Sequence, residues 1–218
     1  MPIRFYSKIC GLTRIEDARL AKSLGADFLG MVFHPASERM CTIDVALEIR
    51  QSFPDSPRVL VFGYDEKEYI FEIYKKLRDL MSFVQVPSDH PDFKEICEVL
   101  TKPKVFPVIY PTKKLLEQDV DSFREHSIIL FDTPKVQNGV KLAGGSGEPF
   151  PWEFVKEIQR PYLLAGGLNP ENLCNALQAL EPFGVDVSSG IELSPGIKDE
   201  SKLRKFYHIL NGYPENCP

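Results

Sequence analysis

The sequence predicts an α/β fold, a single (β/α)₈ barrel that spans residues 1–218. Apolar runs of strand length alternate with segments of helical period along the whole chain. Two short glycine turns follow the last two apolar runs, and eight-stranded α/β barrels commonly bind phosphate at those two points. No linker or change in composition divides the chain, whose length lies near the lower limit for this fold.

The apolar runs are continuous rather than alternating, which is typical of parallel strands covered on both faces. An open doubly wound sheet is the alternative, but it would normally contain fewer strands. The runs predict eight strands, at Ile3–Ile9, Phe28–Phe33, Arg58–Phe62, Phe83–Val86, Val105–Ile109, Ile128–Phe131, Tyr162–Ala165 and Val185–Val187.

Eight helices are predicted between and after these strands. Thr13–Glu16 has a capping-box pattern at the start of the first helix, and Gly25 ends that helix. Asn169 is expected to cap the seventh helix with Pro170 in its first position, and the last helix follows Asp199. The others are expected around Thr42–Ser52, Asp65–Asp79, Asp89–Leu100, Lys113–Phe123 and Gly147–Ile158.

Composition narrows the class of protein. The net charge is −5, and no basic tract with interleaved aromatic residues is present, which disfavours a nucleic-acid partner. No apolar stretch approaches the length of a membrane span, and the N-terminal residues lack a signal-type apolar region, so we expect a cytoplasmic protein without a membrane partner. Five widely spaced cysteines predict reduced thiols, and four scattered histidines predict no metal site.

The two glycine turns, Ala165–Leu168 and Ser188–Gly190, predict a phosphate site. Glycine allows backbone N–H groups to approach and surround an anion, and a helix N-terminus adds a favourable dipole. One such turn alone is more simply an ordinary tight turn, but two at successive strand ends would form one pocket. The segment Asp132–Pro149 is long, polar and rich in glycine, which favours a functional loop.

Several residues with reactive or charged side chains fall at the ends of the predicted strands, where barrel enzymes carry out their chemistry. Cys10 ends the first strand and Asp132 the sixth, Asp186 lies in the eighth, and Arg39 follows the second. Each has an ordinary structural explanation by itself. Together they favour acid–base isomerisation of a phosphorylated sugar without a metal or cofactor, because a thiolate can take a proton from carbon while a carboxylic acid protonates a leaving oxygen.

Lys8 precedes Cys10 by two residues and is expected to point to the same side of the strand. Either a supporting ion pair within the barrel or a catalytic role would explain it. The proposed chemistry needs Asp132 to keep a proton near neutral pH, so its pKa is expected to be raised. Lys8 is expected to favour the thiolate of Cys10.

Five segments in order along the chain closely resemble the phosphoribosylanthranilate isomerase family, whose members are (β/α)₈ enzymes of tryptophan biosynthesis. The resemblance covers nearly the full length. It is carried by Lys8–Arg14, Phe131–Thr133, Gly144–Gly147, Leu164–Asn172 and Val185–Glu192, and it continues through Pro195–Asp199.

The resemblance implies an Amadori rearrangement of N-(5-phosphoribosyl)anthranilate. By this resemblance Asp132 is the general acid that protonates the furanose ring oxygen, and Cys10 is the general base that takes the proton from the neighbouring sugar carbon. Arg39 holds the anthranilate carboxylate. Asp186 is a supporting carboxylate, and the phosphate binds to the backbone amides of Gly167, Ser189 and Gly190. The phosphorylated substrate is the expected partner, and the chain is expected to act as a monomer or homodimer.

The chain departs from the family pattern on the aryl side of the site. Glu38 stands where Ser-Pro-Arg has proline, which puts a carboxylate next to the anthranilate anchor in sequence. The fourth strand reads Gln85–Ser88 without the family's histidine, and the third ends in Val61–Tyr64 rather than the usual Val-Phe-Val-Asn type. The acid–base pair is unaffected.

Three alternatives are weighed against the isomerase. Indole-glycerol-phosphate synthase would need lysine and glutamate partners on other strands, and a ribulose-phosphate epimerase would need metal-binding histidines. Neither pattern is found. A catalytically silent phosphosugar-binding barrel with altered aryl-side loops is the third alternative, but a binder needs neither Cys10 nor Asp132.

Overall fold

The computed structural model describes residues 4–79, 81–101, 104–133, 135–137, 140–142 and 148–217. Eight parallel strands pair in chain order and close into a barrel in which the last strand pairs with the first. The predicted barrel is therefore confirmed. Its strands are β1 (Tyr6–Ile9), β2 (Phe28–Val32), β3 (Arg58–Val61), β4 (Phe83–Pro87), β5 (Val105–Ile109), β6 (Ile129–Phe131), β7 (Tyr162–Leu164) and β8 (Gly184–Val187).

Helices cover the outside of the barrel. Gly25 ends the first at a φ of 108°, in the left-handed region that glycine adopts without strain. The Thr42 side chain caps the second by accepting from the N–H of Val45. The α-helices of the described residues are α1 (Ile15–Leu24), α2 (Ile43–Ser52), α3 (Lys67–Leu77), α4 (Phe93–Leu100), α5 (Leu173–Leu180) and α6 (Glu200–Asn211).

The fifth and sixth connections differ from the prediction. In place of α-helices they contain the 3₁₀ helices Glu117–Phe123 and Trp152–Phe154. Val120 is the one buried residue of the first, so this segment has no apolar stripe with which an α-helix could pack on the barrel. The start of the predicted sixth helix, at Gly147, lies outside the described residues.

Two predicted helix starts are also wrong. The hydroxyl of Thr13 donates to the carbonyl of Gly196, at 2.5 Å, and the N-cap of α1 is Arg14, without a side-chain cap. Helix α5 begins at Leu173 rather than at Pro170. The Asn169 side chain still accepts from backbone N–H groups, those of residues 171 and 172, and thereby stabilises the turn before the helix.

The barrel interior is apolar at the end away from the glycine turns. Phe28, Phe83 and Phe106 pack there, with the rings of Phe83 and Phe106 stacked 4.5 Å apart and Phe28 edge-on to both. Val59, Leu130 and other small or branched side chains fill the interior above them. This packing closes one end of the barrel, and the polar side chains of the interior lie at the other end.

Two short antiparallel hairpins interrupt the β/α alternation, and neither is predicted. One pairs Lys135–Gln137 with Val140–Leu142 inside the long loop. The other pairs Glu192–Ser194 with Ile197–Lys198, directly after β8. The Gly144–Gly147 motif lies outside the described residues.

The prediction that all five cysteines are reduced is wrong. Cys174 on α5 forms a disulfide with Cys217, and their α-carbons are 5.5 Å apart. The linear spacing does not reveal this pair, because 43 residues separate the two positions and only the fold brings them together. Cys10, Cys41 and Cys97 form no disulfide within the described residues and are buried. No helix within the described residues is long and apolar enough to cross a membrane.

Reducing this disulfide should destabilise the protein. Opening a loop of 43 residues restores entropy to the unfolded chain, which predicts a loss of roughly 2–4 kcal/mol in the free energy of unfolding. Urea unfolding with and without dithiothreitol measures the loss. Cys217→Ser is the control: because it cannot form the disulfide, its free energy of unfolding should be the same with and without dithiothreitol. An oxidised wild type that is equally stable in both buffers would contradict the bond's contribution.

Candidate active site

A cavity of about 370 Å³ opens at the carboxyl ends of the barrel strands. Of the residues predicted for the site, six line it: Cys10, Arg39, Asp132, Gly167, Asp186 and Ser189. Gly190 is not part of the lining. Its α-carbon packs against the backbone of Leu168, so the absence of a side chain on this glycine lets the two turns approach each other outside the cavity lining. The chain thus gathers a thiol, two carboxyl groups and a guanidinium around one space.

The floor of the cavity is a buried ion pair between β1 and β8. Lys8 and Asp186 face each other in the strand register, and the Lys8 ammonium lies 3.0 and 2.9 Å from the two carboxylate oxygens. Gly30 makes room for the lysine, since a β-carbon there would lie 3.0 Å from Nζ. Of the two roles considered for Lys8, the supporting ion pair is the one that the geometry favours.

The Lys8 ammonium is held in its charged form. Burial alone would lower the pKa of Lys8, but the carboxylate of Asp186 and the neighbouring Cys10 outweigh this, so the pKa is raised. A fixed positive charge therefore lies beneath the cavity.

Asp132 follows β6, and its half-buried carboxyl group lines the cavity. Its Oδ1 accepts from the N–H of Thr133 at 2.7 Å, and its own N–H donates to the carbonyl of Ile109. Burial raises the pKa of Asp132 to about 7, and the charge of Asp186 acts in the same direction, whereas the Thr133 N–H and Lys8 oppose the rise. The predicted raised pKa is confirmed, and this carboxyl group holds a proton in a substantial fraction of molecules at neutral pH.

Cys10 follows β1 and is buried. Burial raises the pKa of its thiol, and Lys8 lowers the pKa by a smaller amount. The expected influence of Lys8 is therefore present, but burial outweighs it, so the pKa of the thiol is raised and the thiol is harder to deprotonate than a free cysteine. The sequence alone does not show how deeply the thiol is buried, and this burial determines whether its pKa is raised or lowered.

Arg39, from the loop after β2, binds Glu192 of the hairpin that follows β8. Its Nε lies 3.0 Å from both carboxylate oxygens, and its Nη2 lies 2.8 Å from Oε2. Lys198 of the same hairpin donates to Oε1 of Glu192 at 2.9 Å. Glu38 lines the cavity, but the carboxylate that binds Arg39 is that of Glu192.

The glycine turns are shaped by close approach and by backbone conformation. Gly166 and Gly167 have φ values of 84° and 63°. A β-carbon on Gly167 would lie 2.5 Å from the backbone of Glu148, so the long loop crosses directly over this turn. Thr133 ties the same loop down by donating from its hydroxyl to the carbonyl of Glu148 at 2.8 Å.

Several cavity residues were not predicted to be part of the site. Tyr110 and His34 line it. Gln85, predicted from the sequence to lie on the aryl side, lines it as well, and its buried Oε1 has no hydrogen-bond partner in the described part of the chain. Glu192 and Lys198 both fall inside family motifs of the sequence, which is the signal that could have found them. Among the described residues no group of His, Cys, Asp or Glu is arranged to hold a metal ion.

Comparison with known proteins gives a consistent result. The family model described as N-(5'-phosphoribosyl)anthranilate (PRA) isomerase matches residues 7–208. The isomerase of that name from Legionella pneumophila (strain Corby) is 36% identical over 214 residues, covering 97% of this chain and 99% of the relative. The chain belongs to the N-(5'-phosphoribosyl)anthranilate isomerase family.

Solved structures of the family share the barrel. The phosphoribosyl anthranilate isomerase of Thermus thermophilus superposes with a TM-score of 0.78 at 31% identity, covering 95% of this chain and 98% of that one. A second isomerase structure, in complex with reduced 1-(o-carboxyphenylamino)-1-deoxyribulose 5-phosphate, superposes with a TM-score of 0.74 at 31% identity over 95% of this chain and 99% of the other.

Gly190→Ala should abolish phosphate binding. The new β-carbon would collide with the carbonyl of Leu168 and lie 2.8 Å from the β-carbon of Asn169, so the two turns must separate. Added inorganic phosphate should raise the thermal unfolding midpoint of the wild type but not that of the variant. Gly25→Ala is the control: alanine is strained at its φ of 108°, so this variant should also be destabilised, but it lies at the end of α1 and should keep the response to phosphate. If phosphate raised the unfolding midpoint of all three proteins equally, the phosphate would not be bound between these two turns.

Proposed function

We propose that this chain converts N-(5'-phosphoribosyl)anthranilate to 1-(2-carboxyphenylamino)-1-deoxyribulose 5-phosphate, the isomerase step of tryptophan biosynthesis. Membership of the family supports the overall reaction. The observation that carries the mechanism is the pairing, around one cavity, of a half-buried carboxyl group whose pKa is about 7 with a thiol that lies beside an ammonium group. A silent binder would need neither group.

Asp132 is the general acid of this proposal. It gives its proton to the furanose ring oxygen while the bond from that oxygen to the anomeric carbon breaks and the nitrogen lone pair forms an iminium. A raised pKa suits this role, since the acid must arrive protonated near neutral pH.

Cys10 is the general base of the second step. Its thiolate takes the proton from the carbon next to the iminium, and the electrons of that C–H bond form the enolamine, which tautomerises to the ketone. The Lys8 ammonium stabilises the thiolate, and the iminium of the substrate adds a second positive charge when it forms. The reaction is an isomerisation, so no external oxidant or reductant is required.

The remaining residues bind the two anionic ends of the substrate. Arg39 holds the aryl carboxylate, and the backbone amides of Gly167 and Ser189 hold the phosphate, while Gly190 lets the two turns approach each other. Asp186 keeps Lys8 charged. These two anchors fix the sugar between the acid and the base, which lowers the entropic part of the barrier. Cytoplasmic location and a monomeric or homodimeric state stay predictions.

Removing the acid or the base should abolish turnover but not binding. Asp132→Asn and Cys10→Ser should each lower kcat by about 10²–10⁴-fold. Freshly made phosphoribosylanthranilate is the substrate, and the loss of its anthranilate-type fluorescence is the measurement. Both variants should still bind the reduced product with nearly wild-type affinity. Rapid turnover by either variant would contradict its assigned role.

The pH profile of kcat/KM should break near pH 7 and then level off. The active form carries protonated Asp132 and ionised Cys10, and below pH 7 its fraction rises tenfold per pH unit as the thiol ionises. Above about pH 7 the loss of the Asp132 proton cancels this gain until the raised pKa of the thiol is reached. A steep fall directly above pH 7 would mean that the thiol ionises below that pH, contrary to its burial.

A further inference from the structure

The Arg39 anchor is fixed by a buried carboxylate that has no assigned role. Glu192 is 6% exposed and holds the guanidinium through Nε and Nη2. Within the described residues no hydrogen bond is made to Nη1, so one edge of the guanidinium is held by the protein and another is left for a ligand. Arginine is suited to such two-sided contacts, because its donors are arranged in a rigid plane.

Glu192 is itself held from several directions. Lys198 donates to its Oε1 at 2.9 Å and to the carbonyl of Ser188 at 3.3 Å. Lys202 donates to the backbone carbonyl of Glu192 at 2.9 Å. These contacts connect the arginine anchor to the turn after β8, where the phosphate is proposed to bind.

Two cations share one buried carboxylate. Arg39 and Lys198 both bind Glu192, and the charge of Glu38 also acts on Arg39. Burial lowers the pKa of Lys198, so Arg39 carries the fixed positive charge of this group and is suited to accept one more anion. The aryl carboxylate of the proposed substrate is such an anion.

We infer that Glu192 is a positioning residue, which holds the Arg39 guanidinium in the orientation that receives the substrate carboxylate. This inference rests on the proposed function. The inference predicts the direction in which anion affinity changes when the charge of Glu192 is removed. If Glu192 only competed for Arg39, removing its charge would strengthen the binding of an anion, whereas loss of a positioning residue weakens it.

The test uses Glu192→Gln, which preserves the size of the side chain, and two inhibitors. One is reduced 1-(2-carboxyphenylamino)-1-deoxyribulose 5-phosphate, and the other is its phenylamino counterpart without the carboxyl group. The inhibition constant of each is measured against wild type and variant. The ratio of the two inhibition constants measures how much the ligand carboxylate contributes to affinity, and it does not depend on how much of the enzyme is folded.

Wild type should bind the carboxylated inhibitor on the order of tenfold more tightly than its counterpart. In Glu192→Gln this preference should fall to about threefold or less, while the affinity for the counterpart stays near wild type and KM rises more than kcat falls. Glu200→Gln, which loses an exposed partner of Arg204 on α6, should keep the full preference. The charge-conserving variant Glu192→Asp should restore part of it.

The possible failures are distinguishable. A wild type that does not consume phosphoribosylanthranilate would overturn the proposed function. A wild type that does, beside a Glu192→Gln variant with an unchanged or larger carboxylate preference, would overturn the positioning role alone. A variant that weakens both inhibitors equally would assign Glu192 to the general structure of the cavity and would also overturn the inference.

Discussion

The ion pair between Lys8 and Asp186 is the interaction on which the rest of the site depends. It joins the first strand to the last, so the residues that close the barrel also set the charge beneath the cavity. Neither partner is stable alone in this position, because a single buried charge costs several kcal/mol. Both charges act on both reactive groups, but Lys8 has the larger effect on the pKa of Cys10, which it lowers, and Asp186 has the larger effect on the pKa of Asp132, which it raises.

The site therefore separates its two carboxyl groups by environment. Asp186 has a lysine against both oxygens, whereas Asp132 has a single backbone donor and apolar surroundings. One is suited to remain a counter-ion and the other to hold and release a proton. The same logic applies to the cations, since Lys8 is neutralised by one carboxylate, whereas Arg39 and Lys198 share theirs.

The sequence was sufficient for the strands and for the residues at their ends, because continuous apolar runs and strand periodicity are local signals. The sequence was insufficient wherever a structural feature depends on a contact with a residue far away along the chain. Thr13 fits a capping pattern but bonds to Gly196, and Cys174 meets Cys217 only in the fold. The ionisation of Cys10 follows from burial, and the partner of Arg39 comes from the hairpin after β8, which no local pattern predicted.

The short 3₁₀ turns of the fifth and sixth connections make the barrel wall uneven. The residues of β6 are nonetheless fully buried, so the difference lies in the connections and not in the strands. Segments with few buried apolar contacts open locally at lower free energy than well-packed helices. Asp132 directly follows β6, so the proposed proton donor lies between the two connections whose described residues form 3₁₀ helices.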